Sequence, residues 1–462
     1  LMFAAFRWIQ THGGTQLIAM GHHSVKAMYI RLGMRPVGKP FACGELEYEP
    51  LSASIEQVEQ ELTRFDSRLK RLQKQLVWKL NIPFSQHSEC YHGGAFFCAI
   101  GDTFEHLDRR NEIINADVLD AWFPPCMEAQ RALHEQLGWL MRTSPPNHAA
   151  GLTQTLAEVR GVDPSNILTG GGSSPLIFLA FRHWLTPSSR VLLLNPTYGE
   201  YAHVLEEVVG CHAERFRLRR EDGYALNLEN FAEKIKEGFD LVVWVNPNSP
   251  TGRHVPRSDV EKILQNVPAA TTVWIDETYV EFAPKGQSLE QIVAQTENGV
   301  IVKSMSKVYG LSGLRAGYLC GSSRMLDPLR GLTPPWSVSL PAQVAAVKAL
   351  RSADYYQACY KETHRLRSAF VDGLRNINIT EIIPGMANFV LFHLPENGPD
   401  GATLISECQK QGLFIRDASE MGAGMGDRAI RVAIKDADTN QRILKILNSV
   451  LQIETTERVC HE

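Results

Sequence analysis

The spacing of apolar residues changes along the chain, and each pattern predicts a different kind of structure. Residues 54–80 carry apolar side chains at alternating intervals of three and four positions, a heptad stripe typical of one long amphipathic helix. The sequence Asn-Ile-Pro at 81–83 is predicted to end this helix. Since only about three heptads are present, the helix can pair with a partner helix or lie along its own chain, and we favour an intramolecular linker. The stripe consists of Ile55, Val58, Leu62, Phe65, Leu69, Leu72 and Leu76.

From about residue 90 onward, short apolar runs alternate with stretches of helical periodicity. This alternation predicts an α/β fold in which a large domain is built on a mainly parallel central sheet. The predicted strands span residues 166–169, 191–194, 241–245, 272–275, 299–302 and 316–319.

The two ends of the chain carry further patterns. Beyond residue 338 we expect a long helix over 341–376, a strand over 388–392 and a helix from residue 401, which together predict a smaller C-terminal α/β domain. Near the start, residues 24–33 are predicted to be helical and residues 41–48 to form a strand. The predicted organisation is therefore an N-terminal α/β remnant at 1–51, a linker helix at 52–83, an arm at 88–145, the large domain at 146–337, the small domain at 338–453 and a tail at 454–462.

Composition and charge restrict the class of protein. A chain of 462 residues is long enough for more than one domain. With 44% hydrophobic and 21% charged residues, it has the composition of a globular protein and not of a disordered or fibrous one. The near balance of 47 basic and 51 acidic side chains argues against a nucleic-acid partner. No apolar run approaches the ~18 residues of a membrane span.

The nine cysteines point to chemistry without metal and to a reducing compartment. None of them forms a Cys-x-x-Cys pair, so the spacing of a zinc ribbon is absent and we expect no metal site. An odd, scattered set of thiols in a large chain, without a signal peptide, predicts a cytoplasmic location.

Polar, turn-forming clusters follow successive predicted strands. A Gly-Gly-Gly-Ser-Ser sequence at 170–174 opens a helix, where free backbone N–H groups can hold an anion. Since parallel strands end at one edge of an open α/β sheet, these clusters predict a ligand site there. The other clusters lie at 195–201, 246–252, 276–279 and 303–307.

The combination of these clusters resembles a known family. Asn-Pro-Asn-Ser-Pro-Thr-Gly at 246–252, Asp276 with Tyr279, Ser-x-Ser-Lys at 304–307 and Gly-Leu-Arg-x-Gly-Tyr at 313–318 resemble the fold type I enzymes of the aminotransferase fold, which use pyridoxal phosphate. The resemblance covers roughly residues 88–453. It is nearest to histidinol-phosphate aminotransferases and threonine-phosphate decarboxylases, and the sequences at 92–94, 415–419 and 430–433 lean toward the decarboxylases.

The resemblance implies a role for each site residue. Lys307 would form the Schiff base with the cofactor aldehyde, Asp276 would pair with the pyridine nitrogen, and Tyr198 would stack on the ring. Tyr279 would hydrogen-bond the ring hydroxyl together with Asn248 or Ser249, an alternative left open because Ser249 stands where Asn is usual. The phosphate would be held by Gly172, Ser173, Ser174, Ser304, Ser306 and Arg315.

Substrate contacts are also implied by the resemblance. Arg431 is the candidate for binding the α-carboxylate of an amino-acid substrate, since arginine binds carboxylates in a bidentate manner. Arg416 would help or bind a second anion, and Asn388 is a further candidate. Ser144 stands near a Pro-Pro pair where relatives with phosphorylated substrates present a tyrosine, which argues against such a substrate.

These observations predict a pyridoxal-phosphate-dependent enzyme that acts on an α-amino acid through an external aldimine. Aminotransferase chemistry in a specialised biosynthetic pathway is the first interpretation. A decarboxylase or a γ-replacement enzyme on a substrate such as S-adenosylmethionine is the second, and a non-catalytic scaffold is the third. The resemblance also implies a homodimer. The sequence at 23–36 resembles the C-terminal part of acetyl-CoA-dependent acetyltransferases, without their glycine-rich pyrophosphate loop.

Overall fold

The computed structural model describes residue 9 and residues 14–43, 46–62, 93–101 and 103–459. The chain forms two compact units, residues 1–86 and residues 87–462.

The first unit is a four-stranded antiparallel sheet with short helices. Its strands are β1 (Gln16–His22), β2 (Arg35–Pro36), β3 (Phe41–Cys43) and β4 (Leu46–Ser54), and β4 pairs with the other three. Its helices span Lys26–Ile30 and Ile55–Leu62. One face of the sheet and the second helix bury a small core of Leu17, Met34, Leu51, Ala53, Ile55 and Val58.

The structure describes part of what the sequence predicts for this unit. The strand predicted over 41–48 is a hairpin, in which Phe41 of β3 lies opposite Tyr48 of β4. The boundary predicted at residue 51 falls inside β4, which continues to Ser54. The heptad helix is observed over Ile55–Leu62, while the rest of the stripe, from Phe65 onward, lies outside the described residues, as does the predicted end at 81–83. The resemblance to acetyltransferases stays a prediction.

The second unit is built on a seven-stranded sheet in the order β6-β12-β11-β10-β9-β7-β8. All neighbours are parallel except β12, which is antiparallel to both β6 and β11. The strands are β6 (Ile167–Gly170), β7 (Arg190–Asn195), β8 (His212–Arg217), β9 (Leu241–Val245), β10 (Thr272–Asp276), β11 (Gly299–Ser304) and β12 (Gly317–Gly321).

The central strands are buried along their whole length because helices cover both faces of the sheet. Every residue of β9 and β11 is buried, which explains their continuous apolar sequence. β8 was not predicted, because it lies at the sheet edge and its sequence His-Ala-Glu-Arg-Phe-Arg contains few apolar residues. The helices of this region span Met127–Arg142, Ala150–Arg160, Ser173–Trp184, Gly199–His203, Leu228–Ile235, Arg257–Leu264, Glu290–Val293, Met305–Tyr309 and Ser323–Leu332.

The C-terminal part carries a second, antiparallel sheet in the order β13-β14-β17-β16. Its strands are β13 (Glu381–Ile383), β14 (Phe389–His393), β16 (Arg416–Asp417) and β17 (Ala429–Ala433). A separate parallel pair joins β5 (Ile114–Asn115) of the N-terminal arm to β15 (Leu413–Phe414). The helix predicted over 341–376 is two helices that meet at Ser352, so the helices here span Leu340–Arg351, Ala353–Asn376, Gly401–Lys410 and Ala437–Val459.

This architecture confirms the predicted fold class, an α/β structure with a mainly parallel central sheet. In the part of the chain that the structure describes, no helix is long and apolar enough to cross a membrane. The six cysteines with described side chains, at positions 98, 126, 211, 320, 359 and 408, are free thiols. The cytoplasmic location and the domain boundaries within residues 87–462 stay predictions.

Candidate active site

The site lies at one edge of the seven-stranded sheet. β6, β7, β9, β10 and β11 run in the same direction, so their carboxyl ends share this edge. β12 runs the opposite way and therefore begins there. Gly317, its first residue, lies opposite both Gly170 of β6 and Ser304 of β11. Because β12 is antiparallel, the residues that precede it, including Arg315, lie near the carboxyl end of β6.

Arg315 and Gly172 form the core of an anion-binding pocket. A Cβ atom added to Gly172 would lie 2.5 Å from Arg315 Nη2, and the φ of +103° at Gly172 favours glycine. Ser173 follows as the first residue of the helix Ser173–Trp184, whose free N–H groups point to this space. Arg315 Nη1 donates to Ser306 Oγ at 3.2 Å, and Ser304 Oγ accepts from the Ser306 N–H. The five residues fit a phosphate group.

The side chain of Ser174 is engaged by a neighbouring carboxylate. Its hydroxyl donates to Glu200 Oε2 at 2.9 Å, and the Tyr198 hydroxyl donates to the same oxygen at 2.6 Å. Glu200 is buried and so joins the predicted ring-stacking residue to the start of the helix Ser173–Trp184. In this arrangement only the backbone of Ser174 is directed to an anion at the helix N-terminus.

Asp276 is the last residue of β10 and is buried. Its Oδ2 accepts a hydrogen bond of 2.7 Å from the Tyr201 hydroxyl, and its Oδ1 accepts from the Thr278 N–H at 2.9 Å. Burial raises the pKa of Asp276, and these hydrogen bonds oppose the shift. No salt bridge to Asp276 is found among the described residues. A buried carboxylate with this set of hydrogen bonds can also pair with a cationic ring nitrogen.

Lys307 lies in the short helix Met305–Tyr309 that follows β11. Its Nζ is 3.1 Å from Asp120 Oδ1. Burial lowers the pKa of Lys307, and the Asp120 charge opposes this shift. Lys435 donates to the backbone oxygen of Asp120 at 3.4 Å, and burial lowers its pKa to about 8. A lysine with a lowered pKa has a larger neutral fraction and is a better nucleophile.

The alternative between Asn248 and Ser249 has a geometric answer in this loop. The Asn248 amide donates to Pro196 O and Thr251 Oγ1, and its oxygen accepts from Thr197 Oγ1, so it holds the loop together. Ser249 instead lies beside the Tyr279 side chain, and its Oγ accepts from Arg431 Nη1 at 3.2 Å. Ser249 and Tyr279 are therefore neighbours, whereas the side chain of Asn248 is engaged within the loop.

Arg431, on β17, is buried with its guanidinium at the site. Its Nη2 donates to Asp117 O at 3.2 Å, whereas its Nε has no hydrogen-bond partner among the residues that the structure describes. Burial lowers the pKa of Arg431 to about 10, so it remains a cation at neutral pH. Arg416 pairs with Asp117 Oδ1 at 3.6 Å. Asn388 donates to Leu119 O at 3.0 Å and so anchors the N-terminal arm.

The structure adds four residues that the sequence did not single out: Asp117, Asp120, Glu200 and Tyr201. Asp117 and Asp120 come from the arm before the helix Met127–Arg142, in a stretch with no strand periodicity. The repeated Tyr-x-x-Tyr spacing at 198–201 was the only available signal for Tyr201. No group of acidic, histidine or cysteine side chains suited to a metal is found within the described residues.

The comparison with protein families decides the identity. The model of the family "Aminotransferase class I and II" matches residues 117–447, which is well over half of the chain. The chain belongs to the aminotransferase class I and II family. This membership confirms the predicted enzyme class. The matched residues include both the central sheet and the C-terminal sheet.

Individual relatives agree with this assignment. A histidinol-phosphate aminotransferase of Methanocaldococcus jannaschii is 28% identical over 301 residues, 65% of this chain and 79% of that protein. The structure of a histidinol-phosphate aminotransferase from Sinorhizobium meliloti, solved with pyridoxal 5'-phosphate, has a TM-score of 0.68 at 21% identity and covers 79% of this chain and 99% of that one. An L-threonine-O-3-phosphate decarboxylase from Porphyromonas gingivalis has a TM-score of 0.64 at 24% identity, over 74% and 100% of the two chains. At these identities the two structures show the fold alone.

The residues at the sheet edge fit pyridoxal phosphate. Asp276 offers a buried carboxylate to a ring nitrogen, and Gly172 and Arg315 leave space and charge for a phosphate. Lys307 offers an amine that is influenced by the charge of Arg315. The chain is thus an enzyme of the aminotransferase family that depends on pyridoxal phosphate.

Proposed function

We propose that this enzyme uses pyridoxal phosphate to transfer the amino group of an α-amino acid, in a specialised biosynthetic pathway. The observation that carries the proposal is the buried Asp276 carboxylate, which has hydroxyl and N–H donors but no salt bridge within the described residues. When bound, pyridoxal phosphate supplies an aldehyde for the amine and a protonated ring that accepts electrons. The chain must supply the partner for that ring nitrogen.

The other site residues support this role through what they do themselves. Asp276 holds the proton of the ring nitrogen, and Tyr201 keeps the Asp276 carboxylate oriented. Lys307 provides the attacking amine and then removes or returns a proton at the substrate Cα. Gly172, Ser173 and Arg315 would hold the phosphate of the cofactor, and Tyr198 would contact its ring.

Ser249 and Tyr279 are proposed to bind the ring hydroxyl together. Ser249 also accepts a hydrogen bond from Arg431, so a movement of the guanidinium can shift the Ser249 hydroxyl relative to the ring. Arg431 is proposed to bind the substrate α-carboxylate through its Nε and the adjoining Nη. Asn388 is proposed only to position the arm.

Amino acids added to the purified enzyme without an oxo-acid acceptor test this function. We expect one donor to convert the lysine-linked cofactor to its stable amine form, which removes the visible absorbance permanently. Return of the absorbance with release of carbon dioxide or of a substituted product would instead identify a decarboxylase or a γ-replacement enzyme. Lys307→Ala should abolish both the visible band and turnover, and retained turnover would exclude Lys307 as the catalytic residue.

A homodimer is also proposed. The helix Met127–Arg142 leaves Met127, Leu137, Trp139 and Met141 exposed on a single chain, and Trp336 is exposed as well. An apolar group of this kind is suited to burial against a second copy. Light scattering at working concentration should give twice the chain mass, and a monomeric mass would contradict the proposal.

A further inference from the structure

A cavity of about 680 Å³ opens beside the proposed carboxylate-binding residue. One wall is formed by residues of the segment 197–207, which follows β7, and the other by residues 405–423 of the C-terminal part. Tyr198 and Arg431 both line it. A substrate bound through its α-carboxylate at Arg431 can therefore extend its side chain into this space.

The cavity offers one cation without a matching anion. Arg431 is 6% exposed, and its Nε lacks a hydrogen-bond partner in the described part of the chain. Its Nη atoms are held by Ser249 Oγ and the Asp117 backbone oxygen, neither of which is charged. The buried guanidinium thus requires one anion, and an α-carboxylate meets this requirement.

The second arginine of the cavity is already matched. Arg416 Nη1 lies 3.6 Å from Asp117 Oδ1, and the Asp117 side chain is only 3% exposed. The other oxygen of Asp117 accepts a hydrogen bond from the Gly94 N–H at 2.9 Å, which fixes the carboxylate. Asp117 lies beside Arg416 and its charge also acts on Arg431, so its one negative charge leaves these two guanidinium groups with one net positive charge. A doubly charged phosphate is therefore not matched here.

The remaining wall is acidic. Three guanidinium groups line the cavity, those of Arg215, Arg416 and Arg431. Six carboxylates line it as well, which gives a formal surplus of three negative charges: Asp117, Glu200, Glu206, Glu207, Asp417 and Glu420. The potential of such a wall attracts a cation and repels a phosphate.

We propose that the substrate is an α-amino acid with a positively charged side chain, of the guanidinium, ammonium or sulfonium type, and not a phosphorylated amino acid. The inference rests on the proposed function. The α-carboxylate binds Arg431 and the distal cation lies in the acidic cavity.

Ligand binding by the cofactor-loaded enzyme tests the proposal, with the change in visible absorbance and calorimetry as separate readouts. The ligands are L-arginine, L-lysine and S-adenosylmethionine, L-norleucine as a neutral comparison, and O-phospho-L-threonine with histidinol phosphate. We expect at least one cationic ligand to bind about tenfold more tightly than norleucine, and the phosphorylated ligands to bind most weakly. Higher salt should reduce the preference.

Two variants connect the preference to the cavity. In the double variant Glu206→Gln and Glu420→Gln, the ratio of cationic to norleucine affinity should fall about fivefold. Glu233→Gln, a surface carboxylate whose side chain is 72% exposed, is the matched control and should leave the ratio unchanged. Asp117→Asn keeps an acceptor for Gly94 but removes the charge that matches Arg416. It should increase affinity for O-phospho-L-threonine about tenfold.

The outcomes separate this inference from the proposed function. If no amino acid changes the absorbance of the cofactor, the proposed function itself fails. If the absorbance responds but phosphorylated ligands bind more tightly than cationic ones, the function stands and the inference is overturned. Equal affinities for cationic and neutral ligands would also overturn it.

Discussion

The amine of Lys307 lies 3.1 Å from the carboxylate of Asp120, and this pair joins the short helix after β11 to the N-terminal arm. Burial is the largest single influence on the pKa of Asp120 and raises it, but the Lys307 charge, hydrogen bonds from Ser312 and Lys307 and the Lys435 charge together lower it below its usual value. The side-chain amine of Lys435 donates to the backbone oxygen of Asp120. Asp120 is therefore a positioning residue for the lysine that the proposed reaction requires.

Replacing Asp120 should change how Lys307 titrates. Asp120→Asn removes the charge that favours the ammonium form, so the pKa of Lys307 should fall further. The rate at which the apoenzyme regains visible absorbance with added pyridoxal phosphate should then reach its maximum at lower pH. Asp372→Asn, at an exposed aspartate paired with Arg375, is the control. An unchanged pH profile for Asp120→Asn would contradict the role of this pair.

Tyr201 is expected to matter for activity through Asp276. Tyr201→Phe removes a 2.7 Å hydrogen bond to a buried carboxylate, and bonds to charged groups contribute about 1.5–3 kcal/mol. We expect kcat/KM to fall at least about tenfold and the acidic limb of its pH profile to move to higher pH, because the pKa of Asp276 rises.

A matched control separates this effect from general destabilisation. Tyr224→Phe removes a hydroxyl of another buried tyrosine, which lies 3.0 Å from His393 Nε2. It should lower stability without moving the pH profile. If both variants moved the profile equally, the specific link from Tyr201 to Asp276 would be wrong.

Gly172 should be intolerant of any side chain. Gly172→Ala would place a Cβ atom 2.5 Å from Arg315 Nη2 at a φ of +103°, which displaces the guanidinium and strains the backbone. The dissociation constant for pyridoxal phosphate, measured by fluorescence quenching, should rise about tenfold or more. Gly138→Ala is the control: Gly138 lies in the helix Met127–Arg142 with open space around it, so alanine should stabilise the protein by about 0.5–1 kcal/mol. Equal cofactor affinity in both variants would refute the anion-binding pocket.

Glu277 should make stability depend on pH. It lies next to Asp276, in a buried cluster with Lys303 and Glu290, and burial raises its pKa from 4.5 to about 7. Its neutral form is therefore favoured in the folded state. The stability from this group is fully present below pH 4.5 and is lost as pH rises through about 7.

Glu277→Gln removes this titration and keeps acceptor and donor groups for Leu289 and Ser288. The free energy of unfolding of the wild type, relative to the variant, should fall by about 3 kcal/mol between pH 4.5 and pH 8. Urea denaturation at several pH values measures this difference. A difference that is constant with pH would show that Glu277 is ionised throughout.

Much of the site could be predicted because its residues follow directly from strand ends. Asp276, Lys307 and the glycines before Ser173 stand where a buried apolar run stops, and the sequence marks each such point. Arg431 lies within β17 and not at a strand end, and it is nominated from the family resemblance. Their pairwise roles as cofactor contacts remain predictions, but their gathering at one edge is what the parallel arrangement requires.

The errors have equally specific causes. The Ser174 hydroxyl donates to Glu200, a contact that the sequence did not predict because no local pattern relates residues 26 positions apart. The helix predicted over 341–376 continues the same periodicity across Ser352, where the backbone leaves the helical region. The periodicity of apolar residues indicates which face of a helix is buried. It does not indicate where the helix is interrupted.

The sequence by itself determined the α/β class, the strand ends and the residue types that suit pyridoxal phosphate, because burial and turn formation act over a few neighbouring residues. Only the tertiary structure decided which charges meet. It brings Asp120 to Lys307 across 187 positions and Asp117 to Arg416 across 299, and it chooses Ser249 over Asn248 as the neighbour of Tyr279. Electrostatic interactions depend on distance and burial in space, so they are fixed only when the arm, the sheet and the C-terminal part pack together.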